Sequence, residues 1–519
     1  MPEYLTPGVY IEEIERGPRP IEGVPTSTSA FLGETERGPI RPRLVTSYKE
    51  FQRWFGGVFG DAKFMPYAVS GFFENGGRRL FVCRIVAPKA TPASVKIGPY
   101  TVRAVGAGTW GKRIWVSIDD SSTKKMVGAD LKPVGFRLRL AYWNNLPAGA
   151  VLKDPFTEPG KSTLPRPVLI EDFDDLVIDE SSPDYFAKRL QDSSALATLD
   201  RAADADPAVS HTKGSKLMDA GGEDDPAALT TADYEGLLPA DKREQEQGLA
   251  VLEQDPFRDV SLVYAPAAST EVAKKIISHC EKLRFRFAAI DSEKTVGDLS
   301  KLEPRSLVTD TQYAAFYFPW IYVSDPQTGA RKLVPPGGHA LGVYARTDSE
   351  RGVFKAPANE ILRGAIELAV DINDKQQGDL NPKGVNVTRS FPGRGIRVWG
   401  ARTMSSNALW KYVSVRRLFI FLERSIYEGT QWVVFEPNDP RLWGRVTDTV
   451  TLFLRTQWRL GALFGRTEAQ AFFITCNEST MTQDDILNGR LICEIGIAPV
   501  RPAEFVIFRI FQNTAEAQR

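Results

Sequence analysis

Histidine and cysteine are scarce in this 519-residue chain, which holds three of the first and four of the second. That scarcity removes most routes to a metal centre or an activated nucleophile. Cys83, Cys280, Cys476 and Cys493 form no CxxC pair and sit in apolar or mixed runs such as Phe81-Val82-Cys83 and Leu491-Ile492-Cys493. They read as buried free thiols of a reducing compartment. Net charge is lacking too: 65 Lys plus Arg balance 65 Asp plus Glu. Without a basic excess, direct nucleic-acid binding is not expected, and one weak barrier to self-association is removed. Long apolar runs are missing as well. The most apolar stretch, Ala314 to Val323, is broken by Pro319 and is about half of what a bilayer-spanning helix needs. The first residues, MPEYLTPGVYIEEIERG, have neither a basic nor an apolar leader region, so no signal peptide or membrane anchor is expected.

Motifs of catalysis are equally thin. His211 lies in a polar stretch, and His279 adjoins Cys280 on a helix, where neighbours point about 100° apart. His339 follows Pro335-Pro336-Gly337-Gly338, which reads as a turn. Phe391-Pro392-Gly393-Arg394-Gly395-Ile396 is neither a phosphate loop nor a dinucleotide fingerprint. The acidic run Glu171 to Asp175 lacks the spacing and glycine of a calcium loop and reads as solvated. No catalytic, cofactor or metal site is expected.

What remains is ordinary globular composition, 42% apolar and 25% charged, in a chain long enough for several cores. The predicted class is multidomain α/β (α+β). Residues 1–24 form an extended arm, 25–88 an α/β segment and 89–165 a β-rich insertion. Residues 166–350 form a further α/β domain with an exposed acidic loop at 201–235. Residues 351–519 form a C-terminal module that ends in a strand arm at 504–512. Helices are expected at Met65 to Glu74, Thr270 to Leu283, Ala358 to Ala369, Val413 to Ile426 and Arg445 to Phe464. Trp110, Trp115 and Trp143 suit either a β core or a surface-binding module.

Both ends of the chain carry strand formers: Val9, Tyr10, Ile11, Glu12 and Ile14, then Phe505, Val506, Ile507, Phe508 and Ile510. Unpaired edge strands recruit other chains. Pairing of these two runs inside one subunit stays open on this pattern.

Several blocks resemble the contractile tail sheath family. They are Tyr4-Leu5-Thr6-Pro7-Gly8-Val9-Tyr10-Ile11-Glu12-Glu13, Val24 to Gly33, and Arg37-Gly38-Pro39. Later ones are Phe72 to Gly77, Gly393 to Thr403, Tyr412 to Arg417, Phe435 to Asp439 and Arg501 to Ile510. The resemblance implies an inner module of the N-terminal arm and the C-terminal third, with the β-rich and α/β domains outside. It implies a homo-oligomer, a helical stack of hexameric rings linked by terminal strand exchange. Partners would be an inner tube protein, baseplate and distal cap proteins, and in some systems paralogous sheath chains. Contraction would drive the tube through a target envelope without an enzymatic step. Assembly is expected in the cytoplasm, into a phage tail or a phage-like injection particle. Arg445, Arg455 and Arg459 are the tube-facing candidates, by position in that family. Two alternatives stand: another tail or baseplate protein with strand-exchange arms, and an α/β enzyme.

Overall fold

A computed structural model describes residues 20–509, except residues 128, 145, 147–148, 158–165, 207–209, 237 and 240–245. It divides into two compact units, one of residues 25–416 and one that joins residues up to 24 with 417–519. The division falls inside the helix Val413–Gly429.

The larger unit is organised on a nine-stranded sheet. Its strand order is Glu360–Ile361, Gly395–Val398, Val385–Phe391, Ala314–Phe318, Phe287–Asp291, Leu262–Tyr264, Ser29–Gly33, Leu80–Arg84 and Arg43–Val45. The six central strands are parallel, and antiparallel strands close both edges. Ser29–Gly33 and Leu80–Arg84 are buried at every position. That is the signature of a parallel strand covered on both faces. Leu262–Tyr264, the helix Thr270–Leu283 and Phe287–Asp291 form one strand–helix–strand unit. Ser269 caps that helix, and Val272, Ile276, Ile277 and Cys280 face inward, as their spacing predicts. The sheet takes in residues 360–398, which the sequence reading grouped with the C-terminal module.

Two expectations fail here for a stated reason. No helix covers Ala358 to Ala369: Asn359 and Gly364 have φ of 59° and 81°, and the segment makes short strands at Glu360–Ile361 and Glu367–Leu368. Conversely, the Pro-Pro-Gly-Gly turn is the start of a helix, Gly337–Arg351. Its glycines serve contact, not turning. A Cβ on Gly338 would stand 2.6 Å from the Ala68 carbonyl oxygen, and one on Gly342 2.5 Å from that of Phe72. The helix Met65–Glu74 is thus pressed backbone to backbone against Gly337–Arg351, with Gly71 making room for the His339 ring.

Between Leu80–Arg84 and Leu262–Tyr264 the chain makes the β-rich insertion. It holds two four-stranded antiparallel sheets, Leu169–Leu176, Phe136–Tyr142, Ile114–Asp120, Gly214–Leu217 and Ala197–Arg201, Tyr100–Ala104, Ala93–Ile97, Ala220–Gly221. Tyr100, Val102, Ile114, Val116, Phe136, Leu138 and Leu140 share one buried core. The insertion therefore runs to residue 221, beyond the expected 165, and Gly214–Leu217 and Ala220–Gly221, inside the stretch expected as an acidic loop, supply its closing strands. Glu171 to Asp175 is no solvated loop. It lies in a strand where buried Glu171 accepts from Ser194 Oγ and Ala195 N, at 2.6 and 2.8 Å. The first strand of the insertion pairs with its last, Ala220 opposite Ser94, and Thr91 N donates to Glu223 O just outside. Trp110 and Trp143 are buried, so packing accounts for both.

The buried titratable groups set a pH dependence. Burial lowers His279 to about 3, helped by Arg286, whose guanidinium donates to Nε2 at 2.6 Å. Burial alone lowers His339 to about 4. Both folded pKa values lie below the unfolded value, so this stability is present above about pH 6.5. It is lost as pH falls towards 4 and then 3. Asp291 acts in the opposite sense. Burial raises it to about 6 even though Tyr264 Oη, Ala267 N and Gly337 N all donate to it. Its contribution is lost as pH rises through about 6. The two histidines outweigh the one carboxyl, so the melting temperature is expected to fall as pH drops from 7 to 4.5. His339→Gln cannot take up a proton and should flatten that decline, by up to about 3 kcal/mol at full titration. An unchanged slope in pH-dependent calorimetry would show that His339 is not held neutral.

Candidate functional site

The smaller unit holds the terminal runs and the arginines singled out from the sequence. Ile21 to Val24 lies along the helix Val413–Gly429: Val24 N donates to Ser425 Oγ at 3.2 Å, and a Cβ on Gly429 would stand 2.7 Å from Ile21. The N-terminal arm thus leaves from this unit. Val9, Tyr10, Ile11, Glu12 and Ile14 themselves lie outside the described residues, as does Ile510.

At the other end, Phe505, Val506, Ile507 and Phe508 are 74, 68, 78 and 85% exposed. Of the strand expected at 504–512, residues 504–509 carry no regular structure, and 510–512 lie outside the described residues. Four consecutive apolar strand formers in water are unfavourable by about 1.5–3 kcal/mol each relative to burial. A two-stranded antiparallel sheet stands in the same unit, Phe472–Thr475 paired with Glu494–Ile497. Each strand has one edge that meets no further strand among the described residues. A lone two-stranded ribbon is marginal in water and gains from added strands. Phe473 lies over Gly496 in the opposite strand, where any Cβ would strike its ring. The run Phe472-Phe473-Ile474-Thr475 is a legible strand signal that the sequence reading passed over.

The helix expected at Arg445 to Phe464 spans Pro440–Arg459. Asp439 caps it by accepting from Leu442 N at 2.8 Å, with Pro440 in the first turn. It ends before Gly461, which has φ of 88°. Val446, Val450, Phe453 and Leu454 are buried, while Arg441, Arg445, Asp448, Leu452 and Arg459 form its exposed stripe. The three candidate arginines differ in circumstance. Arg455 is held by Glu468 through two hydrogen bonds, at 2.7 and 3.0 Å, which pull the carboxyl down. Arg445 stacks over Trp432 at 4.5 Å and lies 3.4 Å from Glu436. Arg459 is exposed at the last turn.

Among the described residues, the three histidines meet no catalytic partner. His211 pairs with Asp120 at 3.0 Å, His279 with Arg286, and His339 is packed against Gly71. No group of three or more His, Cys, Asp or Glu among the described residues could hold a metal. No described helix is long and apolar enough to cross a membrane.

Comparison with known proteins agrees with this picture. Residues 227–404 match the phage tail sheath protein central domain, and residues 405–513 the phage tail sheath C-terminal domain. A putative prophage major tail sheath protein of Pseudomonas aeruginosa is 24% identical over 292 residues, 55% of this chain and 73% of that protein. The tail sheath protein of Escherichia phage P2 is 23% identical over 314 residues, 59% of this chain and 77% of that protein. Two solved structures share the fold. The contracted sheath complex of an extracellular contractile injection system, PVC, superposes with a TM-score of 0.59 at 22% identity, covering 100% of both chains. The contracted helical sheath of the anti-feeding prophage gives 0.57 at 23% identity, covering 98% of this chain and 100% of that one. With both sheath domains matched across residues 227–513, the chain belongs to the phage tail sheath family and is a structural subunit of a contractile tail or injection system.

Proposed function

We propose that the chain polymerises as a helical stack of hexameric rings around an inner tube, tied together by exchange of its terminal arms. Contraction of the stack drives the tube through a target envelope. The observation that carries this reading is the run Phe505 to Phe508, apolar, exposed and unpaired in its own subunit. The open edges of the Phe472–Thr475 and Glu494–Ile497 ribbon give it a receptor on the next subunit. Main-chain pairing supplies affinity while the chain before the strand bends, which suits a tether between moving bodies. The N-terminal run Val9 to Ile14 takes the same role from the other side. Baseplate and distal cap proteins bound the stack, and a paralogous sheath chain can substitute for this one in part of it. Assembly takes place in the cytoplasm, into a tail or injection particle. Truncation before Glu504 is the direct test: a folded protomer without long polymers supports exchange, and polymers at wild-type yield overturn it.

In this reading the exposed stripe of Pro440–Arg459 faces the tube. Arg459 carries it with Arg445, whose contact with Glu436 is long at 3.4 Å, while two short bonds to Glu468 hold Arg455 within the subunit. Arg445→Glu with Arg459→Glu is expected to weaken tube-templated assembly about tenfold and to steepen its salt dependence. Arg455→Glu should instead lower protomer stability by breaking an internal pair. Equal tube co-assembly of the double variant and wild type across a salt series would rule the stripe out.

A further inference from the structure

We propose that Cys476 and Cys493 are a cross-strand dithiol that small disulfides oxidise to a reversible clasp at the mouth of the Phe472–Thr475 and Glu494–Ile497 hairpin. The ladder places Thr475 opposite Glu494, so the next pair outward is Cys476 opposite Cys493. Ala498 N donates to Ala471 O, which makes residues 471 and 498 a hydrogen-bonded pair. Counting along the ribbon, 473 with 496 and 475 with 494 are also of that kind, and 476 with 493 is not. Non-hydrogen-bonded pairs bring their Cα atoms to about 4.5 Å with the side chains closest together. That lies within the span a disulfide bridges. Each thiol shifts the ionisation of the other, as neighbouring sulfurs do.

The flanking backbone is held in place as well. The Thr480 hydroxyl accepts from Asn477 N and lies 2.9 Å from Ile492 O, joining the residue after Cys476 to the residue before Cys493. Arg490 is fixed to Asp484 and Asp485 in the same loop. The clasp therefore closes a loop whose ends are already together.

Both sulfurs are reduced here. Burial raises both thiols, Cys493 to about 12, so only a small fraction is thiolate near neutral pH and exchange is slow, quickening as pH rises. Cys493 is the more exposed of the two. Its thiolate attacks a low-molecular-weight disulfide, forms a mixed disulfide and releases one thiol. Cys476, once deprotonated, then attacks the Cys493 sulfur and expels the second thiol. The balance is one protein dithiol plus one small disulfide giving one protein disulfide plus two small thiols. The chemistry concerns the hairpin alone and holds whether or not a neighbouring arm joins it.

The test uses the full chain as purified protomer, incubated with oxidised glutathione at mildly alkaline pH, then mapped by peptide mass and titrated for thiols after denaturation. The expected result is a fall from the four thiols of the sequence to two, with one peptide joining 476 to 493. Cys83 and Cys280, fully buried in the other unit, should stay reduced. Cys476→Ser should trap a stable glutathione adduct on Cys493, because the resolving thiol is gone. Four retained thiols, a persistent adduct on wild-type Cys493, or dimers linked through either cysteine would each overturn the proposal.

Discussion

A chain that stops at Ala503 is expected to purify as a folded, monodisperse protomer that forms no long sheaths. Residues 501–509 take no part in regular structure within the subunit, and Phe505 to Phe508 point into water. Removing Phe505 to Phe508 takes no buried apolar side chain from the fold. Under the proposed exchange, it takes a strand from the lattice. Four to five ladder hydrogen bonds at about 1 kcal/mol each, with apolar burial added, correspond to at least a hundredfold loss in the linking equilibrium. Ile507→Pro offers the same test without shortening the chain, since proline takes away one donor from the ladder. Circular dichroism reports the protomer and negative-stain microscopy the polymer. Long polymers at wild-type yield from both variants would show that the run is not a linking strand.

The second large effect is expected at Gly338. Gly338→Val puts a Cβ 2.6 Å from the Ala68 carbonyl oxygen and 2.7 Å from Ala68 Cα. Those neighbours are backbone, so no side chain can swing aside. The helices Met65–Glu74 and Gly337–Arg351 must separate, and both pack on the central sheet. Overpacking usually costs about 1–3 kcal/mol, and a backbone obstacle puts this case at or beyond the upper end. Insoluble expression or a melting temperature lowered by many degrees is the expected readout. Gly297→Ala, where a Cβ would meet nothing within 4 Å, is the control and should change little. Similar melting curves for the two variants would mean that the helix pair has slack at this contact.

The sequence was readable wherever local pattern and environment agree. Thr270–Leu283 has a serine cap and one apolar face, so its ends and its buried residues follow from spacing. The strands of the insertion alternate in and out, as in Phe136–Tyr142, and could be read for the same reason. Gly337–Arg351 could not, because burial runs through residues 337 to 347 and leaves no polar face to set a period. Its glycines looked like a turn, and only the neighbouring helix explains them. The acidic strand Leu169–Leu176 was hidden because Asp172 meets Arg137 and Glu171 meets Ser194, partners that sequence distance conceals. In the assembly region, the strand-forming character of Phe505 to Phe508 was legible, but the absence of an internal partner was not. The pairing of Arg455 with Glu468, around a turn and a short helix, was likewise invisible, and so was the register that sets Cys476 against Cys493.

The insertion leaves and rejoins the larger unit through adjoining strands, with Ala93 beside Gly221 and Thr91 bonded to Glu223. The insertion also leans on its host: Tyr142 Oη donates to Glu36, Arg43 pairs with Asp192, and buried Arg84 donates to Ala107 O. Length can therefore change without disturbing the frame only at turns remote from these contacts, such as the one between Lys124–Val127 and Asp130–Pro133, while the stem strands keep their spacing of about 5 Å. That makes such a turn, rather than the stem, the place where an added segment would disturb the frame least.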